Sequence, residues 1–453
     1  MKKDLTKGHV IKTMLLFACP MILGNMLQQL YNVADTLIVG RALGADALAA
    51  VGSAYTLMTF LTSVLIGLCM GSGAAFSFYF GKGDMAKLKE SMCISFAWIG
   101  AVTVLFNFLA LWLLRPILRL LRIPQELFGM MEEYTQIIFF GICFVFLYNY
   151  FAYLLRAVGN SVVPLCFLGV SSVLNIILDL LFVITFQRGI AGAAEATVIS
   201  QAVSGFGIAA YTWFWEPSLR SGLGEVRISR EGVREILHFS LSASMQQSVM
   251  NFGILMVQGL INSFGAAVMA AFAAGVKIDT FAYMPAQEFG NAFSLFVSQN
   301  YGAGENDRVK RGTKGAALVS GGFCICISVI VCLFAERWMR IFVSWSDVEI
   351  IRIGAGYLRA EGAFYLGIGI LFLFYGYYRG INKPGISLLL TVISLGTRVL
   401  LAYALAPAVG VIGIWIAIPI GWVLADVTGA ALMRRITERR GSIETISQRS
   451  ETN

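Results

Sequence analysis

Apolar runs of about twenty residues or more recur from one end of the chain to the other. That feature decides most of what the chain can fold into. A helix needs about 20 mostly apolar residues to cross the hydrocarbon core of a bilayer. Only helices and closed barrels satisfy every backbone polar group there. Twelve runs can be drawn, near 13–39, 48–79, 92–114, 133–155, 162–186, 190–214, 234–263, 267–299, 315–335, 350–378, 385–406 and 411–433. A barrel would instead read as short segments of alternating polarity. Charged residues are only 13% of the 453 and hydrophobic ones 58%, about half the usual charge content of a soluble chain. The expected class is an all-α polytopic membrane protein. Runs longer than 25 residues imply tilt or extension beyond the hydrocarbon.

The opening MKKDLTKGHV has the basic character of a signal peptide. The apolar run behind it continues to Val39 without a small-residue cleavage site, so it reads as a retained first helix. Placing both termini in the cytoplasm puts 23 Lys and Arg on that side, from Lys2 and Lys3 to Arg449. Nine fall outside, among them Arg41, Arg122 and Arg352. That bias sets the expected orientation in the cell (inner) membrane. The net charge of +8 therefore serves topology, and no nucleic-acid partner is expected. All 8 cysteines lie in apolar runs and none forms a CxxC pair, so neither a disulfide framework nor a metal site is expected. His9 and His238 are the only histidines. No HExxH, GxSxG or P-loop occurs, which argues against a hydrolase or an ATP-driven pump. No cofactor is expected.

The two halves repeat each other. LGADALAAVG at 43–52 matches FGAAVMAAFA at 264–273, GKGD at 81–84 matches GAGE at 302–305, and GIAGAA at 189–194 matches GVIGIW at 410–415. All three pairs share an offset of 221, and RAVGN at 156–160 echoes RGINK at 379–383 at 223. Six spans per half mean that both halves enter the membrane in the same direction. The expected fold is twelve transmembrane helices in two six-helix bundles related by a parallel repeat, with a central site. The expected organisation is an N-terminal lobe at 1–215, a charged linker at 216–233, a C-terminal lobe at 234–435 and a polar tail at 436–453.

Polar residues inside these spans are few and patterned. Asp35 lies five residues before the expected outer end of the first span at Gly40, about 7–8 Å along a helix. Asn175 and Asp179 share a face of the fifth span by i,i+4 spacing, and Thr197 lies eight residues into the sixth. All four fall at similar depth in the outer half of the first repeat. An intramembrane carboxylate costs several kcal/mol unless paired, hydrated or neutralised. Two neighbouring ones can share a proton, or hold Na⁺ together with amide and hydroxyl oxygens. Asn25, Gln28, Asn32 and Asp35 run down one face of the first span, while Gln247, Asn251, Gln258 and Asn262 do so on the seventh. The stripe repeats but its carboxylate does not. Gln28, Asn32, Gln247, Asn251 and Met256 are the expected lining of a substrate cavity, with Met250 and Phe252 suited to varied cargo. Interhelical hydrogen bonding is the alternative for the amides. Glu195 points to a different face, as a third cavity acid or as a partner to a polar neighbour. Arg398 requires an acidic partner, Glu361 or Asp279, and Lys277, Glu288 and Asp426 are further intramembrane charges.

Asp35 in NVADTLIVG, NIILD at 175–179, GIAGAAEATVISQ at 189–201 and AQEFGNAFSLFVSQNYGAG at 286–304 resemble the multidrug and toxic compound extrusion (MATE) family of secondary transporters over nearly the whole chain. The resemblance is closer to the branch with a cation site in the N-terminal lobe. It implies that Asp35, Asn175, Asp179 and Thr197 bind the coupling ion, H⁺ or Na⁺. Another branch carries an acid in helix seven, where this chain reads SASMQQSVMN. The resemblance further implies a monomeric antiporter in the lipid bilayer that exports amphipathic, mostly cationic small molecules. A flippase of a lipid-linked precursor in the wider superfamily is the competing expectation. It would call for Lys or Arg in the cavity to hold a pyrophosphate.

Overall fold

The structure, a computed structural model, describes residues 3–120 and 125–451. Lys2 and Arg122 of the charge bias, and Thr452 and Asn453 of the expected tail, lie outside them. Regular structure among the described residues is helical. The first half holds α1 (Val10–Leu43), α2 (Ala45–Lys82), α3 (Met85–Leu120), α4 (Gln125–Phe140), α5 (Ile142–Ala157), α6 (Val162–Asp179) and α7 (Gly189–Trp215). A π-helical segment, Leu180–Thr185, continues α6. The short α8 (Pro217–Arg220) lies in the linker. Then follow α9 (Arg230–Asn262), α10 (Ala266–Gly302), α11 (Asn306–Phe342), α12 (Val348–Gly362), α13 (Tyr365–Gly380), α14 (Pro384–Val409) and α15 (Val411–Glu451).

Eight of these helices are each long and apolar enough to cross a bilayer. The pairs α4–α5, bent by 42°, and α12–α13, bent by 51°, supply two more. The remaining two expected spans are α7 and α9, of 27 and 33 residues. Glu195 and Gln201 in α7, and His238, Gln246, Gln247 and Asn251 in α9, make them less apolar than the rest. The described residues therefore carry ten such spans, with α7 and α9 standing where the sixth and seventh are expected and the fourth span of each half broken in the middle.

The backbone carries the same repeat as the sequence. Gly44, Gly83 and Gly189 have φ of 92°, 75° and 63°, and their mates Gly265, Gly304 and Gly410 have 95°, 79° and 67°. Each sits at a helix junction that a Cβ would strain. Gly83 closes α2 by donating its N–H to the carbonyls of Phe80 and Tyr79. The short matches at an offset of 221 therefore mark equivalent turns.

Two compact units emerge. The first comprises Met1–Ser248, Asn291–Gly315 and Tyr377–Pro384, the second Val249–Gly290, Ala316–Gly376 and Gly385–Asn453. Phe76, Phe139, Leu154, Leu65 and Met131 are fully buried in the core of the first. Within that unit α2 packs on the last turns of α10 in a symmetric way. Ser77 Oγ donates to the Leu295 carbonyl at 2.9 Å, and Ser298 Oγ to the Ala74 carbonyl at 2.6 Å. A Cβ on Gly81 would lie 2.0 Å from the Gln299 carbonyl oxygen, and one on Gly302 would lie 2.1 Å from that of Phe78. Every partner in one contact is 221 residues from its counterpart in the other. Small residues allow this backbone approach. The N-terminal segment is tied to the same region. The Arg308 guanidinium donates to the carbonyls of Leu5, Lys7 and Gly8, and the Lys3 N–H donates to the Gly159 carbonyl.

In the second unit Phe272, Tyr357 and Trp415 form one aromatic cluster, with Phe272 stacked on Trp415 at 5.6 Å.

Candidate functional site

A cavity of about 350 Å³ lies inside the first unit, lined from α1, α2, α4, α5, α6 and α7. The polar stripe of α1 faces it, through Asn25, Gln28, Gln29, Asn32 and Asp35. Asn175 and Thr197 line it from α6 and α7. The Asn175 amide donates to Thr197 Oγ1 at 3.3 Å, which joins the two helices at that depth. Asp179 is fully buried just behind the cavity wall, one turn beyond Asn175, and interacts directly with Asp35. The i,i+4 spacing read from the sequence is thus what brings an amide and a carboxylate onto one face.

The site is rich in unpaired oxygen. Asp35 Oδ1, Asn175 Oδ1 and both carboxylate oxygens of Asp179 are buried and receive no hydrogen bond from any backbone group or neutral or basic side chain, so the two acids meet only each other. Two carboxyl groups held together away from water stabilise each other when a proton or a cation lies between them. A cluster of carboxylate, amide and hydroxyl oxygens is suited to either, since hard monovalent cations favour oxygen ligands. Among the described residues, the cavity lining contains no Lys or Arg.

Two tyrosines complete the site. Tyr31 and Tyr134 are within electrostatic reach of both carboxyl groups, and both line the cavity. Tyr31 is one turn before Asp35, so the stripe on α1 carries its signal. Tyr134 arrives from α4, and no local pattern distinguishes it. Immediately after Asp179 the helix widens into the π segment, a form that concentrates near functional positions.

The other expected residues separate. Glu195 pairs with Arg188 at 2.7 Å and does not line the cavity. Of the α9 residues, Gln247 lies in the first unit but away from the cavity lining. Asn251 and Met256 belong to the second unit. In that unit Arg398, Asp279 and Glu361 line one pocket, so the structure places both candidate acids with the arginine. Hydroxyls of Tyr357 and Tyr365 donate to Asp279. Lys277 is exposed rather than drawn into this group.

The MatE family model matches residues 20–181 and 241–404, two stretches that begin 221 residues apart. The chain is 31% identical over 395 residues to the probable multidrug resistance protein YpnP of Bacillus subtilis, covering 86% of this chain and 87% of that protein. It is 27% identical over 422 residues to the probable multidrug resistance protein NorM of Thermotoga maritima, covering 90% and 89%. Its fold matches an outward-facing multidrug resistance MATE family transporter of the MOP superfamily at a TM-score of 0.90 and 25% identity, over 96% of this chain and 97% of that one. A multi-pass chain with its own halves repeated, matched by this family in both halves, belongs to the MatE family of multidrug and toxic compound extrusion proteins, which are membrane transporters and not enzymes.

Proposed function

We propose that this protein is a cation-coupled antiporter that exports amphipathic, mostly cationic compounds from the cell, and that its ion site is Asp35, Asn175, Asp179 and Thr197. The observation that carries the reading is the pair of carboxyl groups with unpaired buried oxygens beside an acid- and amide-lined cavity. An inward-moving cation neutralises the pair. A cationic cargo would compete for the same charge, so ion and cargo are bound in turn. Asp35 lines the cavity and can meet cargo, whereas Asp179 lies behind it and holds the ion against Asp35. The multidrug resistance and multidrug export names of relatives in Bacillus subtilis and Staphylococcus aureus support the cargo class.

In this reading both termini are cytoplasmic, the protein is a monomer in the inner membrane, and it belongs to the branch with an N-lobe cation site. Two lobes alternate in access, and the α2–α10 contacts part and re-form in the cycle. The flippase reading is not favoured, because the described residues lining the first-unit cavity present no cation to a pyrophosphate. The coupling ion is assigned to H⁺, since a shared proton requires only the two acids, although the oxygen set also suits Na⁺.

The test is transport in vesicles with each gradient imposed alone. Ethidium movement driven by a pH gradient in the absence of Na⁺ is expected. Movement driven by a Na⁺ gradient at equal pH, with none from the pH gradient, would reassign the ion. Movement driven by neither would remove the coupled mechanism.

A further inference from the structure

At the linker end of the first unit a groove of about 370 Å³ opens between α3, α5 and α7. Its walls are almost wholly apolar and include Met92, Phe96 and Phe151. The linker closes it from above with Leu219, Arg220 and Leu223. We propose that this groove binds an acyl chain of an anionic phospholipid, whose phosphate is held by Arg220 with Lys89 beside it.

Three features point to that ligand. The first is depth. Trp213, Phe214 and Trp215 at the end of α7 are 53%, 66% and 68% exposed, and such aromatic rings collect at the headgroup level of a bilayer. The groove mouth is therefore where a glycerol backbone meets its chains. The second is charge. The exposed Arg220 guanidinium lies 5.5 Å over the Trp213 ring, which sets it above the mouth. Lys89 Nζ would lie 4.0 Å from a Cβ placed on Gly222, which sets it beside the linker. Among the described residues, no acidic side chain lines the groove. The third is the anchoring of the roof. Leu219 is only 2% exposed, so the linker is held down over the groove rather than lying free.

Apolar walls alone would not select a lipid, because lipid tails are as apolar as leucine and gain little by moving from bilayer to groove. Selectivity must come from the headgroup. A basic residue near an anionic lipid surface contributes about fivefold in binding, which corresponds to about 1 kcal/mol. Arg220 and Lys89 together predict a preference of about twenty-five-fold for phosphatidylglycerol over phosphatidylcholine. Occupancy would fasten the linker to the first unit.

The experiment uses the full chain in nanodiscs with brominated acyl chains carried either on phosphatidylglycerol or on phosphatidylcholine, at equal mole fraction. Subtracting the Trp213→Phe signal isolates quenching of Trp213 and keeps an aromatic ring under Arg220. Stronger quenching by the brominated anionic lipid is expected. Arg220→Gln with Lys89→Gln should equalise the two lipids, while Arg220→Lys retains the preference and shows that charge is what is read. Equal quenching of Trp213 by both lipids in the unaltered protein would overturn the proposal. So would a preference that survives the double substitution, or an absence of Trp213 quenching with either lipid.

Discussion

Gly81→Ala should shift the protein toward conformers in which α2 and α10 are apart. The added Cβ would lie 2.0 Å from the Gln299 carbonyl oxygen, whereas ordinary contact begins at 3.4 Å. The two backbones must therefore separate by roughly 1.4 Å, and both belong to helices, so no flexible side chain can absorb the strain. Overpacking of this kind costs about 1–3 kcal/mol, which is about a 5- to 140-fold change in the balance between joined and parted forms. The repeat makes a second demand: Gly302→Ala, 2.1 Å from the Phe78 carbonyl oxygen, should act to the same degree. Gly322→Ala, with nothing within 4 Å, is the neutral control. A Ser298→Cys reporter in a cysteine-free background reads the effect, since Ser298 is fully buried in the contact. Maleimide labelling should accelerate by about the factor above in Gly81→Ala and Gly302→Ala. Labelling no faster than in the Gly322→Ala control would show that these contacts yield without cost, and the argument from close approach would fail.

Asp35→Asn and Asp179→Asn should each abolish ethidium efflux with little change in membrane abundance, because one remaining acid cannot trade a shared cation; unimpaired efflux from both would remove the assigned site. Thr197→Ala should lower efflux only severalfold, about what a lost neutral hydrogen bond of ~1 kcal/mol implies, and the loss should be measured against Asn175→Ala, which removes the partner of the same bond. Glu90, which receives the Ser229 N–H at 2.7 Å and the Lys87 ammonium at 3.2 Å, anchors the linker to α3. Burial pushes its carboxyl up, but bonds from Ser229 and Lys87 outweigh this and hold it below the usual value of 4.5. Its stabilisation is therefore complete above about pH 4.5 and lost as the pH falls through the lowered value. Proteolysis of the linker should accelerate on acidification, and Glu90→Gln, which cleaves faster at neutral pH, should show little further change.

The cavity residues were unusually legible. Asp35, Asn175 and Thr197 line one cavity with Asp179 against it, and each was placed by counting residues from a span end. That works because a membrane helix is locally determined: 1.5 Å of rise per residue converts position into depth, and i,i+4 spacing converts position into face. The amides of α9 illustrate the limit. Gln247 and Asn251 match the α1 stripe by repeat position, yet they fall in different compact units, with the boundary at Ser248 inside one continuous helix. Periodicity within a helix carries no information about where along its length its packing partners change. Arg398 shows the same limit in another form, because its distance in sequence from Glu361 and Asp279 could not rank them, and the fold gathers all three around one pocket.

By itself the sequence determined that the chain spans a membrane, that it does so in two repeated halves, and where the equivalent turns lie. Long apolar runs cannot be solvated otherwise, and only glycine readily supplies the positive-φ junctions seen at both members of each pair. Tertiary structure alone decided that Asp179 sits behind the cavity rather than in it, that Tyr134 joins the acids from α4, and that Glu195 is taken up by Arg188. It alone set Gly81 and Gly302 against opposing carbonyls in mirrored contacts. These are outcomes of which helix faces meet. In a bilayer that choice rests on close packing and hydrogen bonding between helices, since apolarity is already satisfied by lipid on every face.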